Sequence, residues 1–451
     1  MLVLLVTAAS ASAGAASPPE GIWRARGYAW LLAVGPDRYT TYSFTRVACV
    51  KMDSAPAERW PQAYDRIERA GDVLRLHREG EETRYTFDRL AALPERCSAG
   101  RTDDPVANFE AFFRLFQEAY ASFDLRGVDW NARYRALRPR VSAGTSASEL
   151  FALLTEMVAP LNDGHVGLSG GGRTYLGGGP REVGAIAARE GLLATGGSSS
   201  DYFRGFIARF VETRVAPSVG IAPLKHDADR IVYWGKVAPR IGYVNFLQMA
   251  PPDHAREAVS GSQVVAATRL RMDEILADLG DTDALVFDLR FNTGGWENMA
   301  LTVAGYFTDV PRLAFSIEPM LEDGSFAPRQ DVMIRPQTGA PYLKPVYLLT
   351  SGTTISSGES LVMAMKANPQ VLQIGERTAG VLAWNGGRLP NGWDVGLTSE
   401  RYFAADGHSY EGSGIPPDVF IPLDVPGGLL TGTRLGVDAA ISIQKSQSNQ
   451  Q

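Results

Sequence analysis

The chain has 451 residues, 45% of them hydrophobic, and a formal net charge of −6. That length exceeds one ordinary core and predicts two or three domains of a globular protein. The mild acidity, without long charged runs, excludes the electrostatic footprint of a nucleic-acid binder. After the first residues no apolar stretch approaches the length of a membrane-spanning helix, so no stable membrane insertion is expected.

Residues 1–17, MLVLLVTAASASAGAAS, read as a secretory signal peptide: a short apolar run, then small residues, with Ala11-Ser12-Ala13 fitting a cleavage site. No Lys or Arg precedes the run, and no Cys follows it as a lipoprotein anchor would require. The expected compartment is therefore extracellular or periplasmic.

Residues 18–103 alternate apolar and polar positions between turns such as Gly35-Pro36-Asp37 and Glu79-Gly80-Glu81. The pattern predicts an antiparallel sheet or small barrel. His77 falls within one strand and reads as a surface or sheet residue. The two cysteines of the chain, Cys49 and Cys97, both lie here. In an exported protein they suggest one disulfide, closing a loop of about 48 residues and adding about 2–4 kcal/mol. Two buried free thiols are the alternative, and two cysteines alone make a poor metal site.

Residues 104–170 switch to helical spacing. Asp104-Pro105 is a good cap and first-turn pair. Phe109, Phe112, Phe113, Phe116 and Tyr120 then form a stripe that reads as core before it reads as a ligand groove. A second helix begins near Thr145-Ser146 and closes at Pro160. It leads into LNDGHVGL, with His165 in a tight loop, free to reach a cleft. Residues 171–235 are a loop-rich connection with one helix around Tyr202 to Val215, either a lid or a plain linker. His226 and His254 read as surface residues.

Residues 236–430 carry the α/β pattern. Ile241 to Leu247 is a strand, Val264 to Leu279 a helix, and Ala284 to Leu289 a strand buried on both faces. The last runs into Asn292-Thr293-Gly294-Gly295 and a helix from Trp296 to Phe307. This strand, Gly-rich turn and helix present N–H groups to an anion. A phosphate site is the generic rival, but neither a Lys-Ser/Thr nor a G-x-G-x-x-G follows. A second such unit is VYLLTSGTTISSGESLVMAM: strand Val346 to Thr350, a small-residue turn, and a helix from Ser357. Ser356 at that turn has the exposure and the nearby N–H groups of a nucleophile. Ser356 with Glu359 three residues on is also a helix capping box. Further on, His408 and Glu411 lie in a loop before Gly414-Ile415-Pro416. Residues 431–451 are a C-terminal helix and a polar tail, disordered from about Lys445.

Four blocks in this order, LNDGHVGL, DLRFNTGG, LLTSGTTISSGES and YEGSGIPPDV, resemble the tail-specific or C-terminal processing serine peptidases. The resemblance spans about 104–425 and is to the branch that includes the tricorn core protease and the interphotoreceptor retinoid-binding protein modules. It implies a crotonase-like ββα core beside the helical subdomain and the N-terminal all-β domain. It further implies Ser356 as nucleophile, Ser357 and Gly294 or Gly295 N–H groups as oxyanion donors, His165 as base and Glu411 as the carboxylate acting through a further polar group. The lysine that serves the processing branch 25 residues after the nucleophile is here Val381, and the serine often found before the histidine is here Gly164. No substrate-tethering PDZ segment is recognised between 170 and 235. The implied activity is hydrolysis of peptide or unfolded-protein substrates through an acyl-enzyme, with no cofactor and no metal; the sequence sets no oligomeric state. A non-catalytic module for an apolar, retinoid-like or lipid-like ligand, with the aromatic helix as its pocket, and an esterase-like hydrolase are the rival functions.

Overall fold

The computed structural model describes residues 18–78, 81–178, 199–250, 260–426 and 428–449. The predicted signal peptide, the turn residues Glu79-Gly80, the stretch 179–198 of the loop-rich connection and His254 lie outside the described residues.

The N-terminal unit is a seven-stranded antiparallel sheet. Its order is Cys49–Pro56, Arg38–Phe44, Trp30–Val34, Gly21–Ala25, Arg84–Leu90, Val73–Arg78, Tyr64–Ala70. The two end strands do not pair, so among the described residues this is an open sheet and not a closed barrel. Trp23, Trp60, Tyr85 and Phe87 fill one face. On the other, Cys49 and Cys97 are joined in a disulfide beside Leu31 and Phe44.

The helical unit starts where the sequence places it. The Asp104 carboxylate accepts the Val106 N–H at 3.0 Å, and Pro105 opens the helix Pro105–Ala119, where a missing N–H costs nothing. Ser146 and Glu149 form a reciprocal capping box for Ala147–Val158. Between them lies a helix, Trp130–Leu137, that the sequence reading did not identify. Phe109, Phe112, Phe113, Phe116 and Tyr120 are all buried against the second helix, each contributing about 1.5–3 kcal/mol. The stripe is core, which removes the basis for an apolar-ligand pocket on it.

The α/β core holds a seven-stranded mixed sheet. Antiparallel strands Lys225–His226, Val232–Ala238 and Ile241–Phe246 lead into parallel strands Ala284–Asp288, Val346–Thr350, Val371–Gly375 and Val419–Phe420. Every residue of Ala284–Asp288 and Val346–Thr350 is buried, because helices cover both faces. The C-terminal helix Leu429–Ser448 is longer than predicted. It carries Lys445 in its last turn, where disorder was expected, and the Tyr347 hydroxyl donates to Gln444 at 2.8 Å. The helix at Ser199–Phe210 passes into a wider turn at Val211–Val215.

A small four-stranded sheet sets up the site. Gly167–Gly170, just after His165, pairs with Asp394–Leu397 of the hairpin Asn385–Arg388/Asp394–Leu397. The helical unit is thereby fastened to the core by backbone hydrogen bonds, with the His165 loop at the joint.

Candidate active site

Two strand–turn–helix units lie side by side, and polar side chains staple their turns. The Ser351 hydroxyl donates to the Arg290 carbonyl at 2.5 Å, and Thr354 to that of Leu289 at 2.8 Å. The Ile355 N–H donates to the Asn292 carbonyl at 3.1 Å. Asn292 is fully buried, its amide fixed on the Phe246 carbonyl at 2.9 Å. Below, Arg290 pairs with Asp288 at 2.6 Å, and Tyr243 donates to the same carboxylate at 2.8 Å. These contacts fix the Gly294-Gly295 turn against Ser356. A Cβ at Gly294 would stand 2.5 Å from the Ser356 Cβ, so only glycine permits the approach.

Ser356 has φ 57° and ψ −130°, a left-handed conformation that a non-glycine residue adopts at a cost of about 1–3 kcal/mol. It precedes the helix Ser357–Lys366, and its side chain makes no cap bond. The capping-box alternative is therefore overturned. Glu359 is fully buried and turned the other way: it accepts the Thr378 hydroxyl at 2.5 Å and the Gly380 and Val381 N–H groups at 2.8 Å each. Burial raises its carboxyl to about 7, and those donors oppose the rise.

Of the predicted oxyanion donors, the structure separates two. The Gly294 N–H is taken by the Asn292 Oδ1 at 2.9 Å, which removes it from the set. The Gly295 and Ser357 N–H groups donate to nothing among the described residues. Ser357 opens its helix, where unpaired N–H groups and the helix dipole favour an anion, and Gly295 lies two residues before the helix Glu297–Ala304.

His165 is half-buried in the loop between the helical unit and the small sheet. Its Nδ1 lies 2.5 Å from the Ala383 carbonyl, an acceptor only. The ring therefore carries its proton on Nδ1 and leaves the Nε2 lone pair free. Burial lowers its pKa below the ordinary 6.5; Asp163 and the Ala383 carbonyl work against that shift, and Arg126 adds to it. Among the described residues no hydrogen bond joins His165 to Ser356. The two meet through the segment 378–383. Ser356 N–H donates to the Val381 carbonyl at 2.8 Å, two residues before the carbonyl that holds His165.

Glu411 is buried, and among the described residues it makes no direct hydrogen bond to His165. Its carboxylate accepts Arg126 Nη2 at 2.6 Å and the Leu382 N–H at 3.1 Å. Burial and the nearby Asp163 hold it above its ordinary value, and Arg126 opposes them. Asp163 lies beneath the histidine loop. Its carboxylate accepts the His165 N–H, the Tyr120 hydroxyl and the Thr398 hydroxyl, each at 2.9 Å. The Thr398 hydroxyl also lies 3.2 Å from the Ala383 carbonyl, so its one proton is shared between that carbonyl and Asp163. The sequence reading missed Arg126, Asp163, Thr398 and Ala383. Asp163 alone left a signal, sitting two residues before the histidine. His226 is exposed, as the sequence predicts, and His408 is exposed too. Among the described residues no group of His, Cys, Asp and Glu is arranged to hold a metal ion, and no helix is long and apolar enough to cross a membrane.

Residues 240–421 match the model of peptidase family S41, and residues 103–159 that of the tricorn protease C1 domain. His165 lies between the two matched stretches. The chain is 28% identical over 164 residues to a carboxyl-terminal-processing protease of Picosynechococcus; that match covers 36% of this chain and 38% of the relative. A peptidase candidate from Parabacteroides merdae shares the fold at TM-score 0.59 and 23% identity, over 76% of this chain and 97% of that one. Mature CPAF bound to lactacystin does so at TM-score 0.55 and 14% identity, over 77% of this chain and 99% of that one. The first model covers both strand–turn–helix units, the 378–383 segment and the Glu411 loop, so residues 240–421 form a peptidase family S41 region of this chain.

Proposed function

We propose that this chain is an exported serine endopeptidase that cleaves peptide or unfolded-protein substrates through an acyl-enzyme on Ser356. The observation that carries the reading is Ser356 itself. It is a strained, uncapped serine between two uncommitted N–H groups, those of Gly295 and Ser357.

In this reading the Ser356 Oγ adds to the scissile carbonyl carbon as His165 Nε2 takes its proton. The carbonyl electron pair moves to oxygen, and the Gly295 and Ser357 N–H groups meet that charge. Collapse breaks the C–N bond, and His165 returns the proton to the leaving amine. Water, deprotonated by the same histidine, then releases the acyl group and restores Ser356. The Ala383 carbonyl keeps the imidazole in the productive tautomer, and Asp163 with Thr398 holds that carbonyl and the loop. Glu411 acts at one remove: with Arg126 it fixes Leu382 and hence the segment carrying Ala383. Export is supported by the leader-like residues 1–17 and by the disulfide in the N-terminal sheet.

The test is a fluorophosphonate probe with peptide mapping, beside turnover of an unstructured peptide. The expected result is an adduct on Ser356, and loss of about 10³-fold or more in turnover for Ser356→Ala and for His165→Ala. The activity of the unaltered protein should rise with pH through a value below 6.5, since the base works deprotonated and burial lowers its pKa. Wild-type turnover in Ser356→Ala would end the assignment.

A further inference from the structure

Beside the site lies a cleft that the reaction does not use. It has a volume of about 570 Å³ and runs between the N-terminal sheet and the hairpin that follows Ala383. That volume is in the range of sites for small organic groups. Trp30, Tyr39 and Tyr64 come from the sheet; Trp384 and Gly386 come from the hairpin side. The walls are tied together. The Trp30 indole N–H donates to the Gly386 carbonyl at 3.0 Å, and Arg388 to that of Met52 at 2.5 Å. The cleft is thus formed before anything binds, which spares a ligand the entropy of closing it.

Trp384 is the telling residue. It is 50% exposed, although it is a large aromatic directly after the residue whose carbonyl holds His165. Its indole lies over Gly386 and Gly396, which face each other across the hairpin. A Cβ at either position would come within 3.2 Å of the ring, so the two glycines form a flat seat for it. Across the cleft the Arg78 guanidinium stands 4.9 Å over the Trp30 ring. An aromatic guest would find an indole face, a second indole and a cation, the partners that favour a π-system over an aliphatic chain. Trp384 directly follows Ala383, so the cleft opens from the same segment that holds His165.

We propose that this cleft is a subsite for an aromatic side chain of the polypeptide substrate, with Trp384 as its principal contact. The proposal rests on the peptidase reading but is testable apart from it. Fluorescein-labelled peptides that differ only by Phe or Ala at one position are titrated against the Ser356→Ala protein, and anisotropy gives their Kd. At one position the Phe peptide should bind about tenfold tighter. Adding Trp384→Ala should bring its Kd to that of the Ala peptide, whereas Trp384→Phe should keep most of the preference. In the Ser356-containing protein the same change should appear in KM and not in kcat. Equal affinities at every position, or a preference that survives Trp384→Ala, would overturn the proposal. A fluorophosphonate that leaves Ser356 unlabelled while the anisotropy difference persists would sink the peptidase reading and leave the aromatic site standing.

Discussion

Glu297 opens the helix Glu297–Ala304, directly after the Gly294-Gly295 turn, and is 7% exposed. Its carboxyl accepts the Ser360 hydroxyl at 2.9 Å and the Glu82 N–H at 3.2 Å. It therefore ties together the helix after Ser356, the helix after Gly295 and the connection that enters the strand Arg84–Leu90 of the N-terminal sheet. Burial, and after it the negative Glu82, raise its pKa from 4.5 to about 8. A carboxyl that holds its proton more tightly folded than unfolded contributes most to stability below about pH 4.5. The contribution fades as pH rises, at about 1.4 kcal/mol per unit, and levels off above about pH 8. Over the whole window the loss is on the order of 5 kcal/mol. Glu297→Gln removes the ionisation and keeps both contacts. The amide oxygen can accept the Glu82 N–H, and the amide N–H can donate to the Ser360 Oγ. Urea unfolding of both proteins at pH 5 and pH 8 reads the difference; groups that do not feel Glu297 cancel in it, and Glu400, whose carboxyl the Glu297 charge helps to raise, shifts it in the same direction. At pH 5 the two should agree within about 1 kcal/mol; at pH 8 the variant should be more stable, by about 3–4 kcal/mol. Parallel pH dependences in the two proteins would refute the reasoning, because they would mean that Glu297 titrates alike folded and unfolded.

Two further outcomes are expected. Glu359→Ala strips the acceptor from the Thr378 hydroxyl and from the Gly380 and Val381 N–H groups. It should cost about 3–6 kcal/mol in urea unfolding and slow probe labelling of Ser356, whose N–H rests on the Val381 carbonyl. Labelling at the unaltered rate would show that the segment holds its place without Glu359. Cys97→Ser opens the bridge to Cys49, 48 residues away in sequence. It should destabilise the N-terminal sheet by about 4 kcal/mol, and dithiothreitol should then leave the variant's thermal midpoint unchanged while lowering that of the unaltered protein.

The elements with a strong local signal were legible in the sequence. The strand Val346–Thr350 and the helix from Ser357 stand where the apolar run and the small-residue turn put them. Asp104-Pro105 and Ser146-x-x-Glu149 start their helices for capping reasons that a sequence displays. Trp130–Leu137 escaped because only Trp130 and Leu137 are buried in it, so no apolar stripe marks it. The Ser-x-x-Glu at 356 misled for a different reason. A capping box and a buried carboxylate reaching for another segment share one pattern, and only tertiary contacts separate them. The same limit hid the orienter of His165. A backbone carbonyl has no residue type, so no reading of side chains could single out Ala383. The cleft beside Trp384 was equally hidden, because its walls come from units more than 300 residues apart in sequence.

The absence of lysine at 381 and the absence of serine at 164 have one steric origin. Val381 gives its carbonyl to the Ser356 N–H, and its side chain packs on the turn before His165. A Cβ at Gly164 would lie 3.2 and 3.3 Å from the two Val381 methyls and 2.9 Å from the Gly178 carbonyl. The histidine loop therefore closes onto the core only with a compact residue at 381 and none of a side chain's bulk at 164. A lysine at 381 would have to thread its long stem through the contact that brings the loop in. A serine at 164 would push the loop away from the Ala383 carbonyl. The two departures from the family pattern thus meet at one packing contact, that of the Val381 methyls with the Gly164 backbone of the histidine loop. Beneath the loop, Asp163 accepts the His165 backbone N–H and the Thr398 hydroxyl lies against the Ala383 carbonyl.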